Sequence, residues 1–506
     1  MTRAGVTAVA LAALVTLAGC HTPPPSGGSE LVIGMTNAPT NLDPGVGLDE
    51  ASQKLHTLLF SSLLKIDESL RIVPDLAIRF ENPNPTTYVA EVRHGVRFHD
   101  GRELTADDVA FTFRRFLDPK FVSGRKGAYK MIASVDVLDR YTVAFHLSEP
   151  SGSFPVNLVM GIVPAGTGPA AARQPVGSGP YQIAEFVADD HVTLRAFPAY
   201  FDGAPKNSGL RFRVIPDDTM RGLELRKGSV DVVVNDLTPD LVHALRADPA
   251  LAVTTAPGTD YAYLGFNMRD PLLQDRRVRL AVGYAIDRDA IVQYLRRGLA
   301  SPAAGIIPPM SWAFADDVFT FTHDVARAKA LLDEAGYRDP DGEGPLPRLR
   351  LSLKTSTAEA YRLQAAVIQR NLADVGIALD VRSYEFATLF ADVLKGNVQL
   401  YTLQWVGVTD PDMLRRVFHS TQTPPSGFNR GFYKNPAVDQ LIDDASTSPT
   451  EAERRKKYGD AQRAIALDAP YVSLWHKTNV AVYRADLRGV HLSPIAEFTF
   501  LKDVSR

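Results

Sequence analysis

Cysteine is almost absent from this chain: Cys20 is the single one among 506 residues. One thiol excludes an internal disulfide framework and any all-cysteine metal or iron-sulfur site. An excess of one charge is missing too. Lys plus Arg number 55 against 58 Asp plus Glu, a formal charge of -3. Without surplus positive charge to neutralise a phosphate backbone, nucleic acid is not an expected partner. No stretch reaches about eighteen uninterrupted apolar residues, the length that a membrane-crossing helix needs. Three enzymatic signatures are also lacking: the Gly-x-Ser-x-Gly elbow, the His-Glu-x-x-His helix and the phosphate-cradling Gly-rich loop.

What is present is an ordinary globular balance, 45% hydrophobic and 22% charged, enough to build two or more packed lobes. The chain opens with Arg3, an apolar run from Val6 to Leu17, and then Leu17-Ala18-Gly19-Cys20. Residues 1–19 have the shape of a secretory signal peptide, with an apolar stretch too short for a transmembrane helix. Leu-Ala-Gly-Cys resembles the bacterial lipobox, in which the cysteine is acylated and becomes the mature N-terminus. That resemblance implies an exported lipoprotein anchored through Cys20, in the periplasm or on the extracytoplasmic face of the cell membrane. Residues 20–30, with Pro23, Pro24, Pro25, Gly27 and Gly28, then serve as a flexible tether.

Further along, several segments declare their structure through local chemistry. Asp100-Gly101, a dipeptide that accepts positive φ, lies between Val96 and Phe98 on one side and Leu104 on the other, which predicts a hairpin. Thr105 and Asp108 make a capping-box start for a helix with Val109, Phe113 and Phe116 on one stripe. From Asp275 a helix turns Val278, Ala281, Val282 and Ala285 inward. Asp287 caps a second one carrying Ile291, Tyr294 and Leu295. Asp324 starts another, with Ala328, Leu331, Leu332 and Ala335 on one face and Gly336 at its stop. Short β-like runs lie between, at Leu31 to Gly34, Val192 to Ala196, Leu210 to Ile215, Asp231 to Val234 and Leu349 to Leu353. Alternation without a fixed repeat gives an α/β class with mixed sheets.

These motifs carry a resemblance to a known family. Val92-Arg93-His94-Gly95-Val96-Arg97-Phe98-His99-Asp100-Gly101, continuing through Leu104-Thr105-Ala106-Asp107-Asp108-Val109, is similar to the signature hairpin and helix of the extracellular solute-binding proteins of family 5. Those proteins serve peptide, nickel and related ABC importers. Gly177-Ser178-Gly179-Pro180-Tyr181 resembles the family's Gly-Thr-Gly-Pro-Tyr turn. Gly265-Phe266-Asn267, Asp275, Arg277-Val278-Arg279 and Ala285-Ile286-Asp287-Arg288 resemble its central segment, and the likeness continues through Ala328 to Tyr337, Asn435-Pro436 with Asp439, and Ala469-Pro470. The fold this implies is a periplasmic-binding-protein-like two-lobe α/β fold, with an extra subdomain and a two-strand hinge. The expected division is lobe I from 31–55, 176–260 and 478–506, the extra subdomain from 56–175, and lobe II from 261–477.

The function implied is that of the substrate-binding component of an ABC importer, a monomer that captures di- or oligopeptides and hands them to permease subunits, with no cofactor and no catalysis. Peptide-binding relatives pair the ligand's ammonium with an aspartate in a stretch like Trp-x-Gly-Asp. Here the stretch is Trp405-Val406-Gly407-Val408-Thr409-Asp410-Pro411, so Val408 stands where the carboxylate is expected. Asp410 either substitutes for it or matches a structural Asp-Pro. Dipeptide-binding relatives place an arginine after a strand like Leu349 to Leu353. The matching residue is Lys354, either a point-charge partner for a ligand carboxylate or a solvated strand-end lysine. Tyr261, Tyr263, Trp405 and Trp475 resemble positions lining the family's cleft, and Asn37 to Thr40 resembles a loop that offers backbone groups to the ligand.

Three other readings stay open. The same transport role with an oligosaccharide is one; another is a metal chelate or haem, for which His56, His94, His99, His419 and His476 would need to converge. The remote alternative is a serine acyl-transfer enzyme, from Ser62-Leu63-Leu64-Lys65 and Lys354-Thr355-Ser356.

Overall fold

A computed structural model describes residues 29–506 apart from 343, 426 and 449. The expected signal peptide, Cys20 and the expected tether up to residue 28 lie outside the described residues. Among the described residues, no helix is long and apolar enough to cross a membrane.

The backbone of the molecule is one eleven-stranded mixed sheet. Its strands are β1 (Leu31–Met35), β2 (Tyr181–Val187), β3 (His191–Ala196), β4 (Gly209–Val214), β5 (Val232–Val234), β6 (Leu251–Phe266), β7 (Ala300–Pro302), β8 (Leu349–Ser356), β9 (Ile377–Tyr384), β10 (Leu400–Trp405) and β11 (Tyr471–Arg484). They lie in the order β9-β8-β10-β6-β11-β5-β1-β4-β3-β2, with β7 also paired to β11. The two halves of this sheet belong to two lobes, and β6 and β11 alone run through both. At one end β6 pairs with β10, from Tyr261 against Trp405 to Phe266 against Leu400. Strand β11 joins the other half through β5, with Val482 opposite Val233. A strand of 16 residues spans roughly 50 Å, long enough to belong to both halves.

Each half-sheet is covered on both faces, which is why its parallel strands read as near-continuous apolar runs rather than alternating ones. In the first lobe Leu31, Ile33, Phe212 and Tyr181 pack on one side with Phe498 and with Leu55 and Leu58 of α1 (Glu50–Leu59), and Val233, Val480 and Val482 on the other with Leu225 of α2 (Asp218–Lys227) and Leu245. In the second, Leu264, Phe266, Leu353 and Leu400 face α3 (Arg276–Ala285), α4 (Val325–Glu334) and α5 (Glu359–Ala373). Tyr263, Tyr401 and Leu403 face α6 (Phe386–Lys395), α7 (Met413–Phe418) and α8 (Pro436–Thr447). Complete burial of a Leu or Phe contributes about 1.5–3 kcal/mol, so these layers dominate the stability.

A separate four-stranded antiparallel sheet from residues 77–147 carries its own core, with Val109, Phe113 and Phe116 of the helix Ala106–Leu117 laid on it. The expected capping box is formed by Thr105 and Asp108, and Gly101 has φ +88°. His99 then explains why the hairpin and the Gly-Ser-Gly-Pro-Tyr turn occur together. Its Nδ1 accepts from the Gly177 amide at 3.2 Å and its Nε2 lies 3.1 Å from the Gly179 carbonyl oxygen, a neutral ring used on both sides. Gly177 has no room for a side chain, since a Cβ there would meet the Leu59 carbonyl oxygen at 1.9 Å. The same subdomain is tied to the loop after β1 by a buried bidentate pair, Arg115 to Asp43, at 2.9 Å on both arms.

One local expectation gives way. The helix from Asp287 is a single α turn, Arg288–Ala290, continued as a π turn, Ile291–Leu295, which leaves Tyr294 65% exposed while Ile291 is buried. A π turn takes more residues per turn than the 3.6 that the apolar stripe assumes, so the stripe falls out of phase with the core. Arg279 and Arg288 account for much of the central motif: each is buried and spends its guanidinium on main-chain carbonyls, Arg279 on Leu273, Gln274, Asp468 and Ala469, and Arg288 on Ala303, Ser473 and Phe321.

Candidate ligand-binding site

In open α/β sheets, ligands bind beyond the carboxyl ends of parallel strands, where helices begin. Strands β8 and β9 are parallel, as are β8 and β10, and their carboxyl ends lie at Ser356, Tyr384 and Trp405, just before α5, α6 and α7. The crossing strands pass beside those ends. Between Pro257 and Tyr261 the register of β6 against β11 is interrupted, and Gly258 sits against the Lys477 carbonyl, where a Cβ would come within 2.4 Å. A bulge of this kind re-aims a side chain. Here it presents Asp260.

The Asp260 carboxylate accepts from Gln404 Nε2 and from the Gly407 amide, both at 3.0 Å, and Lys477 Nζ stands 3.9 Å away. It therefore holds the loop after β10 against the hinge. Lys477 also reaches towards the other lobe: burial raises the Glu50 carboxyl, but the ammonium groups of Lys54 and Lys477 outweigh it and hold the group below its ordinary range.

The rings at this end stack in order. Tyr263 lies parallel to Tyr471 at 4.2 Å, to Tyr261 at 5.7 Å and to Trp405 at 6.5 Å. Tyr261 is buried, bonded to Ser473 Oγ at 2.7 Å, and burial drives its phenol pKa up. Tyr263 is buried as well, whereas Trp405 is half-buried with Phe428 edge-on to it at 6.0 Å. Trp475 lies on the opposite face of the sheet, 5% exposed in the core beside α3 and α5, with the Arg296 guanidinium 5.8 Å from its ring. The four aromatic candidates are thus divided between two faces.

Lys354 is a strand-end residue held by Asp392 of α6, Nζ to Oδ2 2.7 Å, with Tyr384 beneath it at 5.1 Å. Hydrogen bonding to that ammonium keeps the Asp392 carboxyl below its usual range. Asp410 accepts the Asp412 amide at 2.7 Å, which turns the chain into α7. Burial pushes the Asp410 carboxyl up, and burial plus the Asp410 charge lifts Asp412 to about 6. Val408 is buried, its amide bonded to the Thr259 carbonyl at 3.2 Å. Asn37 is exposed on the loop after β1, its side chain without a partner among the described residues.

The histidines do not converge. His56 lies 3.2 Å from the Asn41 carbonyl, His94 stacks on Tyr141, His419 faces Asp439 and Asp443, and His476 lies 3.0 Å from the Gly305 carbonyl. Among the described residues, no group of three or more His, Cys, Asp or Glu is arranged to hold a metal ion. Lys65 reaches Asp75 at 3.7 Å, and that same carboxylate takes the Ser62 amide.

Asp260 has no counterpart in the sequence reading. Nothing around Gly258-Thr259-Asp260 distinguishes it from a solvated strand carboxylate until β10 is placed beside it.

Comparison with known proteins agrees with this geometry. The profile of the bacterial extracellular solute-binding proteins, family 5 Middle, matches residues 71–424. The oligopeptide-binding protein AppA of Bacillus subtilis is 30% identical over 493 residues, covering 93% of this chain and 90% of AppA. The structure of that protein in complex with a nonapeptide superposes with a TM-score of 0.76 at 28% identity, over 95% of this chain and 99% of the other. NikZ of Campylobacter jejuni in complex with Ni(L-His) gives 0.77 at 25% identity, over 94% and 99%. With its two-lobe fold and a profile match over more than half its length, the chain belongs to the bacterial extracellular solute-binding proteins of family 5.

Proposed function

We propose that this protein captures di- or oligopeptides outside the cytoplasmic membrane, as the substrate-binding component of an ABC importer, and hands them to the permease subunits. It works as a binding protein without catalysis, as a monomer, exported by its leader and held to the membrane through a lipid on Cys20. Lobe I comprises 31–55, 176–260 and 478–506, lobe II comprises 261–477, and the 56–175 subdomain rides on the first.

The observation that carries the reading is the pair of strands β6 and β11, which alone thread both half-sheets beside the carboxyl ends of β8, β9 and β10. Two strands form a hinge with discrete open and closed states, and a guest that touches both lobes tips their balance by its differential affinity. A peptide is favoured over other solutes because AppA, a relative 30% identical over 93% of the chain, is an oligopeptide-binding protein. Asp260 supplies the carboxylate that Val408 lacks, and is the proposed partner of the peptide's ammonium, with Asn37 and its loop offering backbone groups from the first lobe.

Mass spectrometry of the material that co-purifies, followed by thermal shift with alanine-based peptides, tests this. A peptide at about 100 times its Kd adds about 2.7 kcal/mol to the folded state. Absence of any shift with peptides, together with a shift from a nickel-histidine chelate, would favour the second reading, which rests on the likeness to NikZ.

A further inference from the structure

Buried arginines in this protein satisfy themselves in a consistent way. Arg221, Arg279 and Arg288 are 4%, 4% and 9% exposed, and each directs its guanidinium at three or more main-chain carbonyls. Arg430 departs from this. It is 7% exposed, yet no carboxylate pairs with its guanidinium among the described residues; its Nε is fully enclosed without a partner, and the Tyr263 hydroxyl, a neutral acceptor, is its hydrogen-bonding neighbour. Its neighbours are aromatic: the guanidinium carbon lies 4.2 Å from the centre of Trp405, 4.9 Å from Phe390 and 5.8 Å from Phe428. The carboxylates of the adjoining helix are committed elsewhere, Asp392 to Lys354 and Glu385 to the Ala387 amide that starts α6.

Beside it stand the enclosed hydroxyls of Tyr263, Tyr401 and Tyr471 and the Trp405 indole N–H, neutral groups of which the hydroxyls can accept a hydrogen bond but none carries a charge to offset the cation. Burying a cation costs several kcal/mol unless something negative meets it, and a fold does not retain such a group for stability. Cation–π contact returns only part of that cost. The outer side of this cluster is apolar and faces solvent, since Phe428 is 45% and Val406 71% exposed, and it lies at the carboxyl ends of the sheet beside the loop that Asp260 holds.

We infer that Arg430 is the anion-binding residue of the ligand site, receiving a carboxylate of the bound molecule in a pocket walled by Trp405, Phe390 and Phe428. This rests on the peptide-binding reading and sharpens it. The preferred cargo carries a carboxylate next to flat or apolar surface, and the planar fork of Arg430 takes the place at the anionic end that Lys354, already paired with Asp392, does not. The carboxylate has two sources in a peptide, the C-terminus and an acidic side chain.

Both are separated by one calorimetric experiment on the full mature protein and its R430M variant, with alanine-based tri- and pentapeptides carrying Glu or Gln and a free or amidated C-terminus. Wild-type protein should prefer one carboxylate over its amide, and R430M should lose that preference alone, by about 30-fold or more, while the amide forms bind both proteins alike. Loss of the free-acid preference identifies the C-terminus, and loss of the Glu preference identifies a side chain. The apo R430M protein should melt at or above the wild-type temperature, because an unpaired desolvated charge has been removed. R430M retaining the preference, weakening acid and amide equally, or melting several degrees lower would overturn the assignment. Should the wild type bind no peptide, the peptide reading is what fails. Arg430 is then judged by the same comparison on the co-purified solute, free acid against methyl ester.

Discussion

Mild acid should unfold this protein through three rings. His56, His99 and His476 are each enclosed in the neutral form, and burial, the largest effect in every case, takes their pKa values from 6.5 to about 4. A folded value below the unfolded one means that the unfolded chain takes up the proton first. Stability is therefore complete above pH 6.5 and is lost as pH falls through 4. A displacement of that size is worth about 3 kcal/mol per ring once pH is below both values, and about 2 kcal/mol per ring at pH 5. Asp412 works in the opposite direction, since its value is raised to about 6 and its burial penalty is relieved on acidification, returning about 1 kcal/mol at pH 5. For these four groups the net loss between pH 8 and pH 5 is about 5 kcal/mol, which the raised Asp75, Asp410, Glu497 and His191 trim, against the 5–15 kcal/mol that holds a typical domain folded. Urea unfolding at half-unit steps from pH 8 to 4.5, followed by circular dichroism, measures it. His476→Gln retains an amide able to donate to the Gly305 carbonyl but takes no proton, so it should remove about a third of the acid slope. A stability independent of pH between 8 and 5, or an H476Q variant with the wild-type slope, would refute the reasoning.

Three further outcomes follow from the same geometry. D412N should raise stability at pH 8 by up to about 3 kcal/mol and flatten its dependence between pH 4 and 6, because the contribution of a carboxyl with a raised folded value is full below its unfolded value and is lost as pH rises through the folded one; urea midpoints at pH 5 and 8 show this. R115A should cost about 3–5 kcal/mol in chemical denaturation, since it leaves Asp43 buried without its bidentate partner. D260N should weaken binding of a free-amine peptide about tenfold in calorimetry and leave its N-acetylated form unchanged, because an amide keeps the acceptor for Gly407 but loses the charge.

Much of the fold was legible from residues a few positions apart. The capping box of Thr105 and Asp108, the positive φ of Gly101, the helix caps of Asp275 and Asp324, and the apolar strands from Leu31, Leu210 and Leu349 all follow from neighbours within a turn or a pleat. The arginines of the central motif were readable as a pattern, but only the packed structure turns them into clamps on carbonyls up to 190 residues away. The π turn that exposes Tyr294 escaped because one added residue per turn leaves no compositional trace.

The sequence by itself determined the family and the alternation of helices and strands, since each is written in contiguous residue types. Only the tertiary structure decided what meets at the hinge. Asp260 finds Gly407 across 147 positions, Lys354 is taken by Asp392, and Arg430 is left with three aromatic rings and no anion. Those relations depend on the register of β6 against β10 and on which helix covers which face, quantities set by the packing of the whole sheet and carried by no local run of residues.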